Sequence, residues 1–285
     1  MSADEDVRSG EATDSVTFAF GDPVAERYGL ARLGRGPDGT GSALCVLFAG
    51  REPVAAHARG GEPVGGDGSW RDTQVAALRA TVDVPHARWT VSFDAEDGQG
   101  FALEFAALGE PVASDAGAGG MAGYEQPCQV TGTVRAGGSE TEIAALGQRG
   151  RAWGDPDWDR IELTRSVGAW TDSACAALTA IRPAGASNHA EEAVWAAYWE
   201  PEGPLEIDDG RLSTTYDGDG RMRRAGLELW PADEESWARR AAGEVLCGSS
   251  LDLGALRLEC AFFRWHLEGR TGVGRYDIVR HAAAA

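Results

Sequence analysis

Between Gly147 and Trp158 the chain reads Gly-Gln-Arg-Gly-Arg-Ala-Trp-Gly-Asp-Pro-Asp-Trp, two arginines, two aspartates and two tryptophans framed by glycines and a proline. Gly and Pro punctuate turns, so these side chains belong at a strand end or a loop mouth. Guanidinium groups grip carboxylates or carbonyls through paired N–H donors, indole rings make an apolar wall, and carboxyl groups move protons. Arg149 and Arg151 are therefore candidates to orient a ligand, Trp153 and Trp158 to wall it, and Asp155 and Asp157 to act as acid or base. The same residue types also make ordinary staples, because Asp forms turns and Arg–Asp pairs tie them down. The i,i+2 spacing of the two aspartates is a poor match to the flanking carboxylates of a glycosidase.

The aromatic distribution points to the same half of the chain. Eight of the ten tryptophans lie after residue 150. Trp195 and Trp199 share one face of a strand while Tyr198 points opposite, and Trp170 sits in another strand-like run. Such rings either fill a core or line an apolar cavity with a few polar handles.

Composition narrows the function classes. Net charge is −19, from 45 acids against 26 bases; that field repels phosphate backbones and anionic membrane surfaces, so no nucleic-acid partner is expected. Every one of the bases is arginine, which excludes Schiff-base chemistry, a phosphate-loop lysine and a lysine general base. Cys45, Cys128, Cys175, Cys247 and Cys260 are widely spaced, odd in number and set in apolar runs, so buried reduced thiols are expected rather than disulfides. The histidines lack metal-ligand spacing, and no metal or other cofactor is expected. No apolar run is long enough to span a bilayer and no signal-peptide core is seen, giving a cytoplasmic expectation.

The elements that would position these residues are strands. Short alternating runs ending in Gly, Asp or Pro recur at Val16–Phe20, Ala43–Phe48, Val75–Val84, Arg88–Phe93, Phe101–Ala107, Gln129–Val134 and Glu140–Leu146. They continue at Arg160–Ala169, Ala174–Ile181, Ala193–Trp199, Gly226–Trp230, Arg257–Trp265 and Thr271–Val279. Only Asp233–Cys247 offers a helical opening, and it reads equally as a strand. The pattern predicts an all-β chain of antiparallel barrels or sandwiches. An acidic, disordered tail at 1–14 is expected, then a first β domain over 15–113, a Gly-rich linker at 114–123 and a second β domain over 124–281. Asp208-Asp209-Gly210 and Asp217-Gly-Asp-Gly-Arg221 look like calcium-loop fragments but lack the terminal bidentate Glu, and read as turns.

The stretch from Gly123 to Trp170 resembles the two-domain, calycin-like family of carotenoid 1,2-hydratase (hydroxyneurosporene synthase) and AttH-like proteins. The residues that carry it are Tyr124 and Pro127, then Val130-Thr-Gly-Thr-Val134, then Leu146-Gly-Gln-Arg-Gly-Arg-Ala-Trp-Gly154. The resemblance implies two successive lipocalin-like β-barrels and a site for a hydrophobic small molecule; Tyr124 and Gln126 are taken as ligand-binding candidates together with the Trp170, Trp195 and Trp199 already singled out by the aromatic distribution. It also implies water addition to isoprenoid double bonds, or cyclisation of polyene or polyketide-like substrates. Where the family pattern has Asp-His, this chain has Gly150-Arg151. Arginine stays protonated and is a poor general acid, so the hydratase chemistry does not carry over intact.

Two functions follow as expectations. The first is a cofactor-free enzyme that hydrates, isomerises or cyclises an apolar compound, with Asp155, Asp157 and Arg151 catalytic. A protonated carboxyl in an apolar pocket would supply the acid. The second is a non-catalytic carrier in which Arg151 anchors an anionic or carbonyl-bearing lipid.

Overall fold

A computed structural model describes residues 4, 6, 12–66, 69–116, 119–233 and 235–282. The described chain is almost entirely β, in two nearly closed antiparallel barrel-like sheets. The strands of the first sheet are β1 (Thr13–Asp22), β2 (Arg27–Arg35), β3 (Gly41–Ala49), β4 (Glu52–Glu62), β5 (Val64–Gly66), β6 (Asp72–Val75), β7 (Leu78–Val84), β8 (Arg88–Asp94), β9 (Gly100–Ala107), β10 (Val112–Ala116), β11 (Met121–Ala136) and β12 (Ser139–Gly154). They run in the order β4-β3-β2-β1-β12-β11-β9-β8-β7-β6-β5, with β10 paired to the start of β11. The sheet curls until β2 and β3 meet β6 and β7.

The second sheet contains β13 (Ile161–Trp170), β14 (Cys175–Pro183), β15 (Ala193–Glu200), β16 (Gly203–Leu205), β17 (Ile207–Tyr216), β18 (Met222–Pro231), β19 (Arg239–Leu253), β20 (Leu256–Leu267) and β21 (Arg270–His281). Its order is β16-β15-β14-β13-β21-β20-β19-β18-β17, and β15 lies against β17. The ambiguous stretch after Asp233 is thus strand, not helix. Asp208 and Asp209 lie in β17 rather than in a turn, whereas Asp217 does close one, its Oδ1 accepting the Asp219 and Arg221 amides at 3.0 and 2.9 Å.

Alternation explains the inward faces. Along β8, Trp89, Val91 and Phe93 are buried while Arg88, Thr90 and Asp94 are exposed. Trp89 packs on Phe18 with ring centroids 5.4 Å apart, and Phe18 on Phe105 at 5.1 Å; each fully buried ring contributes about 2–3 kcal/mol. The second core gathers Leu178, Tyr198, Leu227, Phe263, Trp265 and Tyr276. All five cysteines are free and buried, as their apolar settings predict.

The chain divides into compact units of residues 1–111 with 126–155, and 112–125 with 156–285. The boundary expected at 114–123 falls instead inside the β10–β11 hairpin. The reason is that the long β11–β12 hairpin returns to pair with β9 and β1, so the β11–β12 segment beyond Glu125 closes the first barrel. Of the tail expected at 1–14, residues 1–3, 5 and 7–11 lie outside the described residues; Asp4 is buried and Thr13 opens β1. No helix among the described residues is long and apolar enough to cross a membrane.

One close approach sets the strand that carries the site described below. A Cβ at Gly274 would fall inside contact distance of the Gly168 carbonyl, so β21 nests against β13 only because Gly stands there. Gly274→Ala is expected to cost about 1–3 kcal/mol, read as a lower urea midpoint.

Candidate functional site

The Gly147–Trp158 segment divides between structure and surface. Its first half is the end of β12, with Arg149 opposite Phe18 and Arg151 opposite Val16 on β1. Both guanidiniums turn inward and are buried. Arg149 Nε donates to Gln126 Oε1 at 2.8 Å and Nη1 to Asp4 Oδ1 at 3.2 Å, while Nη2 lies 3.1 Å from Asp4 Oδ2. Arg151 forks onto Asp14 through Nε at 3.1 Å and Nη2 at 2.7 Å. Its Nη1 donates to the Asp4 carbonyl at 3.0 Å, and Nη2 also reaches the Asp6 carbonyl. The indoles of Trp89 and Trp70 complete the set, donating to Asp4 at 2.8 Å and to Asp14 at 3.0 Å. A buried charge is tolerated only when matched in this way. Arg149 and Arg151 are therefore engaged by the chain's own carboxylates, the Gln126 amide and main-chain carbonyls, which leaves Arg151 paired within the fold rather than open as the expected lipid anchor.

The second half faces outward. Asp155 and Asp157 are exposed, and Asp157 Oδ1 accepts the Asp159 amide at 3.2 Å, capping a short 3-10 turn over Trp158–Arg160. Neither has the apolar surroundings that the acid role requires. Half-buried Trp153 stacks under Arg151, 5.7 Å from guanidinium carbon to ring centroid. Trp158 meets His281 edge-on at 6.3 Å, and its carbonyl accepts from His281 Nε2 at 2.8 Å.

The remaining expected ligand-binding residues come together elsewhere, on the sheet face of the second unit opposite its core. Tyr198 enters the core cluster, so Trp195 and Trp199 face the other way, as their spacing predicts. Trp199 pairs with Cys175, Cys175 with Trp170, and Trp170 with Val273, which carries the row across four strands to β21. Trp170 is 0% exposed and Trp199 4%. The Trp195 indole donates to the Ala113 carbonyl at 2.8 Å, tying this row to the β10–β11 hairpin.

On the same face β21 presents Arg275 and Asp277, and β20 presents Cys260 and Phe262, opposite them in register. Arg275 Nη1 donates to Asp277 Oδ2 at 3.1 Å, while Nη2 lies 3.5 Å from Glu125 Oε1 of the hairpin, next to buried Tyr124. Asp277 is 6% exposed, and its Oδ1 has no hydrogen-bond partner among the described residues. Burial pushes this carboxyl above the usual carboxylate range, outweighing the opposing pull of Arg275 and of the Cys260 thiol. Burial also raises Cys260 well above an ordinary thiol, with the Asp277 carboxyl adding to the effect. Asp277 is thus a carboxyl disposed to hold a proton, on the same sheet face as Trp170, Trp195 and Trp199. Sequence reasoning found the strand but missed the residue. The available signal was Arg-Tyr-Asp, two opposite charges at i,i+2 flanked by the apolar runs Gly272-Val-Gly and Ile278-Val.

A third array, also in the second unit, is built on Glu192. Buried Arg165 ion-pairs with Glu192 Oε2 through Nη2 and approaches the Leu212 carbonyl at 3.4 Å. Arg182 Nε donates to Glu192 Oε1 at 2.9 Å, and His189 Nδ1 lies 3.0 Å from the same oxygen. Burial acts to raise the Glu192 carboxyl, but Arg165, Arg182 and His189 together outweigh it and hold it below its ordinary value. Beside this array a shallow groove of about 920 Å3 is lined by His189, Leu212, Thr214 and His266. A smaller cleft of about 500 Å3 opens in the first unit over Cys45, His57, Leu78 and Phe93. Among the described residues, no group of three or more His, Cys, Asp or Glu is placed to hold a metal ion.

These two antiparallel barrels define a two-domain, AttH-like β fold. Residues 6–282 match the family described as a domain of unknown function, DUF7064, and the chain belongs to that family. An AttH-like protein from Nitrosomonas europaea superposes with a TM-score of 0.68 at 13% identity, covering 95% of this chain and 92% of its own. Kievitone hydratase from Nectria haematococca gives 0.64 at 11% identity, with 96% and 89% covered. CghA gives 0.63 at 14%, with 96% and 90% covered. No curated protein sequence matches the chain.

Proposed function

We propose that the protein is a cofactor-independent enzyme of hydratase type, adding water to, isomerising or cyclising an apolar isoprenoid or polyketide-like molecule, with Asp277 as its acid. The observation that carries this reading is the Asp277 carboxyl itself: buried, raised by desolvation, with one oxygen unpartnered, on a sheet face lined by Trp170, Trp195 and Trp199. In the hydration case, Asp277 transfers its proton to one carbon of a double bond. The aromatic faces stabilise the cation that develops on the other carbon. Water attacks that carbon, and its surplus proton returns to the Asp277 carboxylate, so the net change is addition of one water. Arg275 fixes the orientation of Asp277 and shields it from Glu125, and Tyr124 and Trp199 flank the ligand. The shared fold with a protein named a hydratase supports this reading, as does the resemblance of Gly123–Trp170 to the carotenoid 1,2-hydratase family. Five buried thiols fit a reducing, cytoplasmic setting.

The test is a panel of isoprenoids, polyenes and unsaturated polyketides, scored for binding by tryptophan quenching and for conversion by mass spectrometry in 18O-labelled water. Label in a product identifies hydration, and an unlabelled isomer identifies isomerisation or cyclisation. Binding with no conversion would identify a carrier, and no binding by any apolar compound would sink the proposal.

A further inference from the structure

Asp4 is seated in a way that an ordinary core ion pair is not. Asp14, the partner of Arg151, belongs to β1, and the sheet register holds it in place. Asp4 lies well ahead of β1, which begins at Thr13, and pairs with no strand. Yet its side chain is 0% exposed, and N–H donors converge on its two oxygens. Oδ2 accepts from the Trp89 indole and from the His86 amide, each at 2.8 Å, and lies 3.1 Å from Arg149 Nη2; Oδ1 accepts from Arg149 Nη1 at 3.2 Å. The His86 ring also faces it, with Nδ1 4.0 Å from Oδ1.

The receiving groups are held by bonds that do not involve Asp4. Gln126 Oε1 fixes Arg149 Nε, while Gln126 Nε2 clamps the His86 and Gly109 carbonyls at 2.9 and 2.7 Å. Trp89 is locked in the first core against Phe18, and Arg149 lies over its ring at 5.4 Å. His86 sits at φ +57, a left-handed conformation uncommon for any residue but glycine. Backbone strain of this kind persists where surrounding structure enforces it, and it concentrates at binding sites. Here it accompanies an amide aimed at the carboxylate.

The geometry points to a preorganised carboxylate-binding site in the first barrel, made by the Arg149 fork, the Trp89 indole and the His86 amide, with Asp4 as its resident ligand. A free monocarboxylate of formate or acetate size takes the site once the Asp4 side chain is removed. In the intact chain, tethering gives Asp4 an effective concentration in the millimolar range or above, so an external carboxylate must displace it to enter.

Asp4→Ala in the full chain empties the site and leaves Arg149 buried without its anion. The thermal midpoint is expected to fall by about 6 °C or more, and sodium acetate at about 100 mM to restore at least half of that fall where the same sodium chloride does not. Wild-type protein is expected to respond alike to both salts. The Trp89 indole proton, followed by NMR, is expected to shift in the variant and move back toward its wild-type position as acetate is added. Adding Arg149→Met to Asp4→Ala is expected to abolish the difference between the salts. A midpoint unchanged by Asp4→Ala, equal effects of acetate and chloride, or acetate rescue that survives Arg149→Met would each overturn the assignment. Should Asp4→Ala not fold in chloride, refolding in acetate decides the matter: recovery supports the site and failure in both salts rejects it.

Discussion

Replacing Asp277 by Asn is expected to leave a folded protein that converts its substrate about 10²–10⁴-fold more slowly. The amide is nearly isosteric, and its oxygen still accepts from Arg275 Nη1, but it has no proton to release. Stability provides the control that separates an acid from a structural residue. The folded-state carboxyl is raised above its ordinary value of 3.8, so the folded state holds the proton more tightly than the unfolded chain does. Stability therefore falls as pH rises from about 3.8 through the raised value, and above it the whole cost of ionising a buried Asp277 is present. Asn does not ionise. At neutral pH the variant is expected to match or exceed the wild type in denaturant midpoint, with the advantage vanishing below about pH 3.8. The wild-type rate is expected to decline as pH rises through the Asp277 titration, and the residual rate of the variant to lack that limb. Turnover unchanged in a folded Asp277→Asn protein would remove Asp277 from the chemistry.

Much of the architecture was legible because each barrel wall buries one face and leaves the other wet or differently covered. Alternation marked β3, β8, β9, β14, β15, β20 and β21 within a residue or two of their ends. It failed for β2 and β4, where Arg-Tyr-Gly-Leu-Ala-Arg-Leu-Gly-Arg and Glu-Pro-Val-Ala-Ala-His-Ala-Arg-Gly-Gly-Glu carry too many glycines, alanines and charges for the period to stand out. It left β19 ambiguous between strand and helix, because the acids after Pro231, ahead of the strand, imitated a helix start. The division into units was illegible for a different reason. A Gly-rich stretch reports local flexibility, whereas the return of β12 to β1 is a pairing over more than a hundred residues.

The candidate site was half legible on the same grounds. Residue type singled out Arg149, Arg151, Trp170 and Trp199 as candidates to bind or convert a ligand, and in the fold all four side chains are buried. What they contact depends on register and on a residue near the start of the chain, neither of which has a local signature. Asp4 lies 145 positions from Arg149, and nothing near Gly147 announces it. Charge type alone therefore suggested an arginine waiting for a ligand where the fold supplies its own carboxylate. Conversely, Asp155 and Asp157 drew attention by proximity to tryptophans, while Asp277 is buried by strand pairing that brings Cys260 and Arg275 to it.

Glu192→Gln is expected to cost about 3–5 kcal/mol at neutral pH. Arg165 is buried and would be left with neutral partners in place of its carboxylate, the Leu212 carbonyl and His189 Nδ1 each at 3.4 Å and the Tyr276 hydroxyl. An uncompensated buried cation is the mechanism of the loss. Raising the salt concentration is expected to change it little, because buried pairs are screened far less than exposed ones. The pH dependence has the opposite sign from that of Asp277. Arg165, Arg182 and His189 hold the Glu192 carboxyl below its ordinary 4.5, so its contribution is fully present above that value and disappears as pH falls through the depressed one. The gap between wild type and Glu192→Gln, followed by urea titration at a series of pH values, is therefore expected to be constant from neutral pH down to about 4.5 and to close below it. A gap that persists unchanged at lower pH would mean that the glutamate acts by packing rather than by charge. A gap that is small at neutral pH would mean that Arg165 finds enough compensation in the Leu212 carbonyl and the Tyr276 hydroxyl to remain buried without it.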